Sequence, residues 1–126
     1  MKETVLFVLI GYFAGGILFA RVFCTLFGKR EAYKNGDDRN PGAANAFRYG
    51  GFFCGLLTLI FDVAKAFLPV FLYCRLFPEP DGWGLPLVMA APILGHVFPV
   101  FYRFHGGKGI SATFGSLTGL LPYAWP

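Results

Sequence analysis

Charge is the scarcest commodity in this sequence. Asp, Glu, Lys and Arg make up only 14% of its 126 residues, against about 25% in soluble domains, so the chain cannot cover a water-facing surface. Hydrophobic residues reach 56% and fall in long runs, which places the protein in a membrane. The formal net charge of +4 does not indicate nucleic acid. The basic residues form no stripe with exposed aromatics and sit at the ends of apolar runs, where positive-inside topology and anionic headgroups account for them. Cysteine is scarce and unpatterned: Cys24, Cys54 and Cys74 lie in apolar runs with neither CxxC spacing nor a ligand cluster nearby. That argues against a disulfide framework and against a zinc or other metal site, and leaves lipid-facing or core-packed thiols. A Walker A loop is missing too. Such a loop needs Gly five residues before its Gly-Lys pair and Ser or Thr after it, where this chain has Tyr102 and Gly109.

What is present is a succession of apolar runs. The expected fold is an all-α integral membrane protein, a polytopic helix bundle with about three complete spans and the start of a fourth, forming a single membrane domain over residues 1–126. The first span is Thr4 to Phe27, expected to remain in place rather than be removed as a signal peptide. Its Gly11, Gly15 and Gly16 offer a smooth face for a neighbouring helix, and Arg21 snorkels to the interface. Gly50 to Phe77 is the second span, carrying Asp62 and Lys65. Each would cost on the order of 2.5–3.5 kcal/mol at mid-bilayer, and a spacing of three puts both on one face, where they partly neutralise each other. Either they serve a site or they lock helix packing. Pro69 is a candidate kink. The third span, Gly84 to Phe104, is interrupted by Pro86, Pro92 and Pro99 and contains His96, again a packing group or part of a site. Ile110 to Pro126 begins a fourth helix, about 17 residues long and short for a crossing.

Two polar segments stand out. Gly28 to Tyr49 has an excess of Lys and Arg and is expected on the cytoplasmic side; Pro78 to Trp83 has Glu79 and Asp81, no cation, and suits the outside. Within the first segment, Asn40-Pro41-Gly42 is a turn signal, followed by Ala43, Ala44, Asn45 and Arg48. Backbone amides at a helix start there can hold an anion. Where the third span re-emerges, basic again at Arg103, His105 and Lys108, Gly106-Gly107-Lys108-Gly109 combines bare amides with a point charge, a clip for a phosphate-sized anion; a flexible turn would look similar. The N-terminus is then outside and both glycine-rich loops face the cytoplasm together.

With both loops in view, the sequence resembles the acyl-phosphate-dependent glycerol-3-phosphate acyltransferases of bacteria, the PlsY family. Asn40 to Arg48, NPGAANAFR, resembles that family's Ser-Gly-Asn-x-Gly-Ala-Thr-Asn motif with its following arginine. Asp62-Val63-Ala64-Lys65 is similar to an Asp and Lys pair in the second helix. Gly95 to Gly115, GHVFPVFYRFHGGKGISATFG, closely resembles the second motif. The resemblance implies a multi-pass inner-membrane enzyme moving an acyl group from acyl phosphate to the 1-hydroxyl of glycerol 3-phosphate, giving lysophosphatidic acid and phosphate. It implies no acyl-carrier protein, coenzyme A, metal or other cofactor. By the same resemblance, Asn40, Asn45, Arg48 and Lys108 are the catalytic candidates. Gly42, Ala43, Gly106, Gly107, Lys108 and Gly109 bind substrate, and Asp62, Lys65 and His96 stand behind them. Membrane lipids are the expected surroundings, with self-association or association with other lipid-synthesis membrane proteins left open.

Two departures stand against this pattern. Asp38-Arg39 replaces Ser-Gly before the first asparagine, and Ala44 replaces Thr before the second; a carboxylate beside a phosphate site is repulsive unless Arg39 offsets it. The family also continues into further spans with a third motif, so the chain is expected to be the N-terminal part of a larger bundle. A catalytically silent relative that binds phosphorylated lipid precursors, and a small transporter subunit, are the competing readings.

Overall fold

The structure is a computed structural model that describes residues 1–30, 32–80 and 82–121. It is all-helical among these residues: α1 (Lys2–Gly15), α2 (Phe19–Leu26), α3 (Ala43–Gly50), α4 (Phe52–Leu76), α5 (Gly84–Val97) and α6 (Ile110–Thr118). Three segments are long and apolar enough to cross a membrane: Lys2–Leu26, Phe52–Leu76 and Gly84–Tyr102.

The packing inverts the pattern of a soluble protein. Large side chains such as Leu9, Phe13, Ile60, Leu68, Leu72, Leu87 and Leu94 are exposed, while Ala20, Ala46, Ala66, Ala91 and Ala112 are buried. In lipid, exposing leucine costs nothing, and helices associate where small residues let backbones approach. The crossing of α1 and α5 shows the consequence. A Cβ on Gly95 would run into the Tyr12 carbonyl, and one on Gly15 into the backbone of Pro92. In the same way α6 lies on α4 through Gly115 and Gly119, which face Val63 and Val70. Polar bonds also tie the bundle, among them Thr4 Oγ1 to the Tyr73 hydroxyl at 2.9 Å, Tyr12 OH donating to Phe98 O at 2.7 Å, and Ser116 Oγ donating to Met89 O at 2.8 Å.

The first span is not the single helix its hydropathy predicts. After Gly15 the helix stops, Leu18 is extended (φ −87°, ψ 94°), and α2 begins at Phe19. Two successive glycines weaken the helix here, and a break at membrane depth survives only if something satisfies the freed backbone. Lys65 does so, its Nζ donating to Ile17 O at 2.7 Å. Arg21, rather than simply reaching for the interface, lies over the Tyr102 ring at 4.8 Å. The third span also differs. Its helix ends at Val97, and Pro99 leads into a 3₁₀ turn over Val100–Tyr102, because proline disfavours helix in the residue before it. By contrast α4 continues through Pro69. Of the expected fourth helix, Ile110–Thr118 is formed; residues 122–126 lie outside the described residues.

Candidate functional site: two loops at one end of the bundle

A polar cluster lies between the spans. Lys65 Nζ donates to Ile17 O (2.7 Å) and to His96 Nδ1 (2.8 Å), and sits 2.8 Å from Asp62 Oδ1. Two of the three ammonium donors are thus used in hydrogen bonds, the Asp62 contact is an ion pair, and the Phe19 ring lies 5.5 Å away. Because Nδ1 accepts from Lys65, the ring proton of His96 belongs on Nε2. Nε2 faces the glycine loop so closely that a Cβ on Gly107 would overlap it. The loop is pinned there by Gly107 N donating to His96 O at 3.1 Å. Asp62 is 1% exposed, and neither of its carboxylate oxygens has a hydrogen-bond partner among the described residues.

The first motif folds around Asp38. Its Oδ1 accepts from Asn40 N (3.0 Å) and Asn45 Nδ2 (2.8 Å), and Asn45 Nδ2 also donates to Asn40 O (3.0 Å). Asn45, 6% exposed, is therefore a brace holding residues 38–40 against the start of α3. Arg39 sits between them at φ +50°, a conformation in which side chains are uncommon. It is Lys108, not Arg39, that faces the carboxylate: Lys108 Nζ lies 2.8 Å from Asp38 Oδ2, the two side chains being 59% and 45% exposed. That ammonium, followed by the Asn40 amide and the Asn45 side chain, holds the Asp38 carboxyl well below the usual aspartate range.

Both motifs meet at a cavity of about 130 Å³. Asn40, Gly42, Ala43 and Ala44 line one side; Lys108, Gly109, Ile110 and Ser111 line the other, with Asp62 and His96 also in the lining. Gly42 caps α3 and Gly109, at φ +80°, caps α6. The first amides of a helix have no partner inside it, so two helix N-termini and a lysine present donors and positive potential to one small space. Such an arrangement suits an anion. A larger cavity, about 560 Å³, opens at the other end among Thr4, Tyr73, Glu79 and Trp83, away from both motifs.

Among the residues singled out from sequence, Asn40, Gly42, Ala43, Lys108, Gly109, Asp62 and His96 line this cavity. Gly106 and Gly107 do not; they pack beneath the loop, against Pro99 and His96. Lys65 stands behind Asp62 and His96. Arg48 is exposed on α3 and outside the lining. Sequence reasoning missed Ile17, whose carbonyl is freed by the helix break, and Ile110 and Ser111 at the α6 start. The Gly15-Gly16 pair was the available signal for the first, and the Gly109 boundary for the others.

Comparison with known proteins bears on this end of the bundle. Residues 5–126 match the family model described as glycerol-3-phosphate acyltransferase. A glycerol-3-phosphate acyltransferase of Actinobacillus pleuropneumoniae serotype 5b is 42% identical over 121 residues, covering 95% of this chain and 60% of the relative. One from Legionella pneumophila (strain Corby) is 38% identical over 117 residues, covering 93% and 41%. A crystal structure of PlsY (YgiH), an integral membrane glycerol 3-phosphate acyltransferase, in its glycerol 3-phosphate form, superposes with a TM-score of 0.84 at 32% identity, covering 95% of this chain and 58% of that one. The chain thus spans 60% or less of these relatives' length.

Proposed function

The chain belongs to the glycerol-3-phosphate acyltransferase family, and we propose that it transfers a fatty acyl group from acyl phosphate to the 1-hydroxyl of glycerol 3-phosphate, giving lysophosphatidic acid and phosphate. The observation that carries this reading is the convergence of Lys108 and two helix N-termini on one cavity. The glycerol 3-phosphate form of PlsY supports the acceptor. In this reading Lys108 and the amides from Gly109 onward hold the acceptor phosphate. Asn40 and the amides at Gly42 and Ala43 face the acyl phosphate, Asn45 keeps that loop in shape, and Arg48 is a further cation on α3. Gly106 and Gly107 let the loop close over His96, while Asp62, Lys65 and His96 fix α4 and α5 behind the site.

The reaction asks for little beyond this. The acceptor hydroxyl forms a new bond to the acyl carbon, the anhydride bond to phosphate breaks, and the hydroxyl proton leaves with the products. Phosphate is a good leaving group, so positioning and preorganised donors supply the catalysis. The acyl chain lies along the lipid-exposed apolar helix faces. We place the protein in the inner membrane with its N-terminus outside and both loops cytoplasmic. That the loops emerge at one end of the bundle supports their sharing one side, and the excess of Lys and Arg in Gly28 to Tyr49 supports the cytoplasmic assignment.

The test is to combine purified protein in lipid with palmitoyl phosphate and glycerol 3-phosphate, following phosphate and lysophosphatidic acid together. Equal release of both, falling roughly 10²-fold or more in Lys108→Ala, is expected. Turnover that ignores Lys108→Ala contradicts the assignment. Lys108-dependent binding without turnover points to the second reading, a silent relative that binds phosphorylated lipid precursors. The ion pair occupying Lys108 is the observation in its favour.

A further inference from the structure

We propose that the Asp38 carboxylate is a built-in occupant of the anion seat, and so the residue that sets how tightly this chain holds a phosphate group. The inference rests on the reading of Lys108 as the phosphate-binding cation and goes beyond it. Each contact of Asp38 is one that a phosphate oxygen would make: Oδ2 lies 2.8 Å from Lys108 Nζ, while Oδ1 accepts from the Asn40 amide and from Asn45 Nδ2. An incoming phosphate either breaks the Lys108 pair or binds beside a carboxylate that repels it. In both cases its affinity is lower than a neutral residue at position 38 would allow. The serine of the family pattern carries no charge and is too short to imitate the contact.

The two oxygens of Asp38 divide the work in a way that makes the idea testable. Oδ1 braces the loop, and an amide oxygen can do the same; Oδ2 carries the charge toward Lys108. Asp38→Asn therefore keeps the brace and removes the competitor. Inorganic phosphate and glycerol 3-phosphate are titrated separately onto the full chain in lipid nanodiscs, as wild type, Asp38→Asn, Asp38→Ser, Asp38→Glu and Lys108→Ala. Asp38→Asn and Asp38→Ser are expected to tighten both ligands about two- to fivefold, the range of an exposed ion pair. Asp38→Glu, which keeps the charge, is expected to stay weak. Equal or weaker binding by the Asn and Ser variants, with Lys108→Ala still losing it, overturns this inference alone. So does a Glu variant as tight as Asn. Absence of binding in every chain overturns it together with the reading of Lys108.

Discussion

Lys65 holds together groups from three segments: Asp62 on its own helix, His96 on α5 and the freed Ile17 carbonyl of the first span. Removing one partner of a buried ion pair costs about 3–5 kcal/mol, because the other charge is left unpaired. Lys65→Met is therefore expected to destabilise the protein by roughly that amount, and Lys65→Met with Asp62→Asn to recover the part due to the unpaired charge, while the Ile17 carbonyl stays without its donor. Thermal unfolding in detergent measures both. A single variant as stable as the double contradicts the account. Half of this cluster was legible in the sequence, since a spacing of three places Asp62 and Lys65 on one helix face. His96 was grouped with the pair by resemblance, but its direct contact with Lys65 needed the fold, and the Ile17 carbonyl left only the Gly15-Gly16 pair as an indirect sign. The same limit applies to Asp38. Its charge was visible as a departure from the family pattern, but its partner, Lys108, lies 70 residues along the chain and not next door at Arg39.

At the scale of elements, the spans follow from hydropathy and length, and their contacts from small residues. A Cβ on Gly95 would collide with the Tyr12 carbonyl and approach the Gly16 amide to 3.0 Å. Overpacking such a contact costs about 1–3 kcal/mol. Gly95→Leu is expected to lower stability by at least that range, whereas Leu94→Ala, on an exposed face of the same helix, is expected to be nearly neutral. Equal unfolding temperatures for the two would contradict the close α1–α5 crossing. The break between α1 and α2 escaped the sequence because hydropathy averages over a window and does not register whether a carbonyl has lost its helical partner. Likewise Pro99 marked an interruption, but the return of the loop onto His96, through the Gly107 amide, depends on tertiary contact.

For the whole molecule, the arrangement of spans brings Asn40–Arg48 and Gly106–Gly109 to one end of the bundle, where Lys108 and the starts of α3 and α6 share a cavity. Topology from the distribution of Lys and Arg put both loops on one side. The single cavity needed the fold, because Gly106 and Gly107 turned out to support the loop while Gly109 opens α6. The central claim is that this end of the bundle is a phosphate seat built around Lys108. The most direct measurement is calorimetric titration of glycerol 3-phosphate onto the intact chain in lipid nanodiscs, with Lys108→Ala alongside. Saturable binding that weakens at least about tenfold in the variant, the loss of one charge-assisted contact, is predicted. Absence of binding, or binding unchanged by Lys108→Ala, would contradict it.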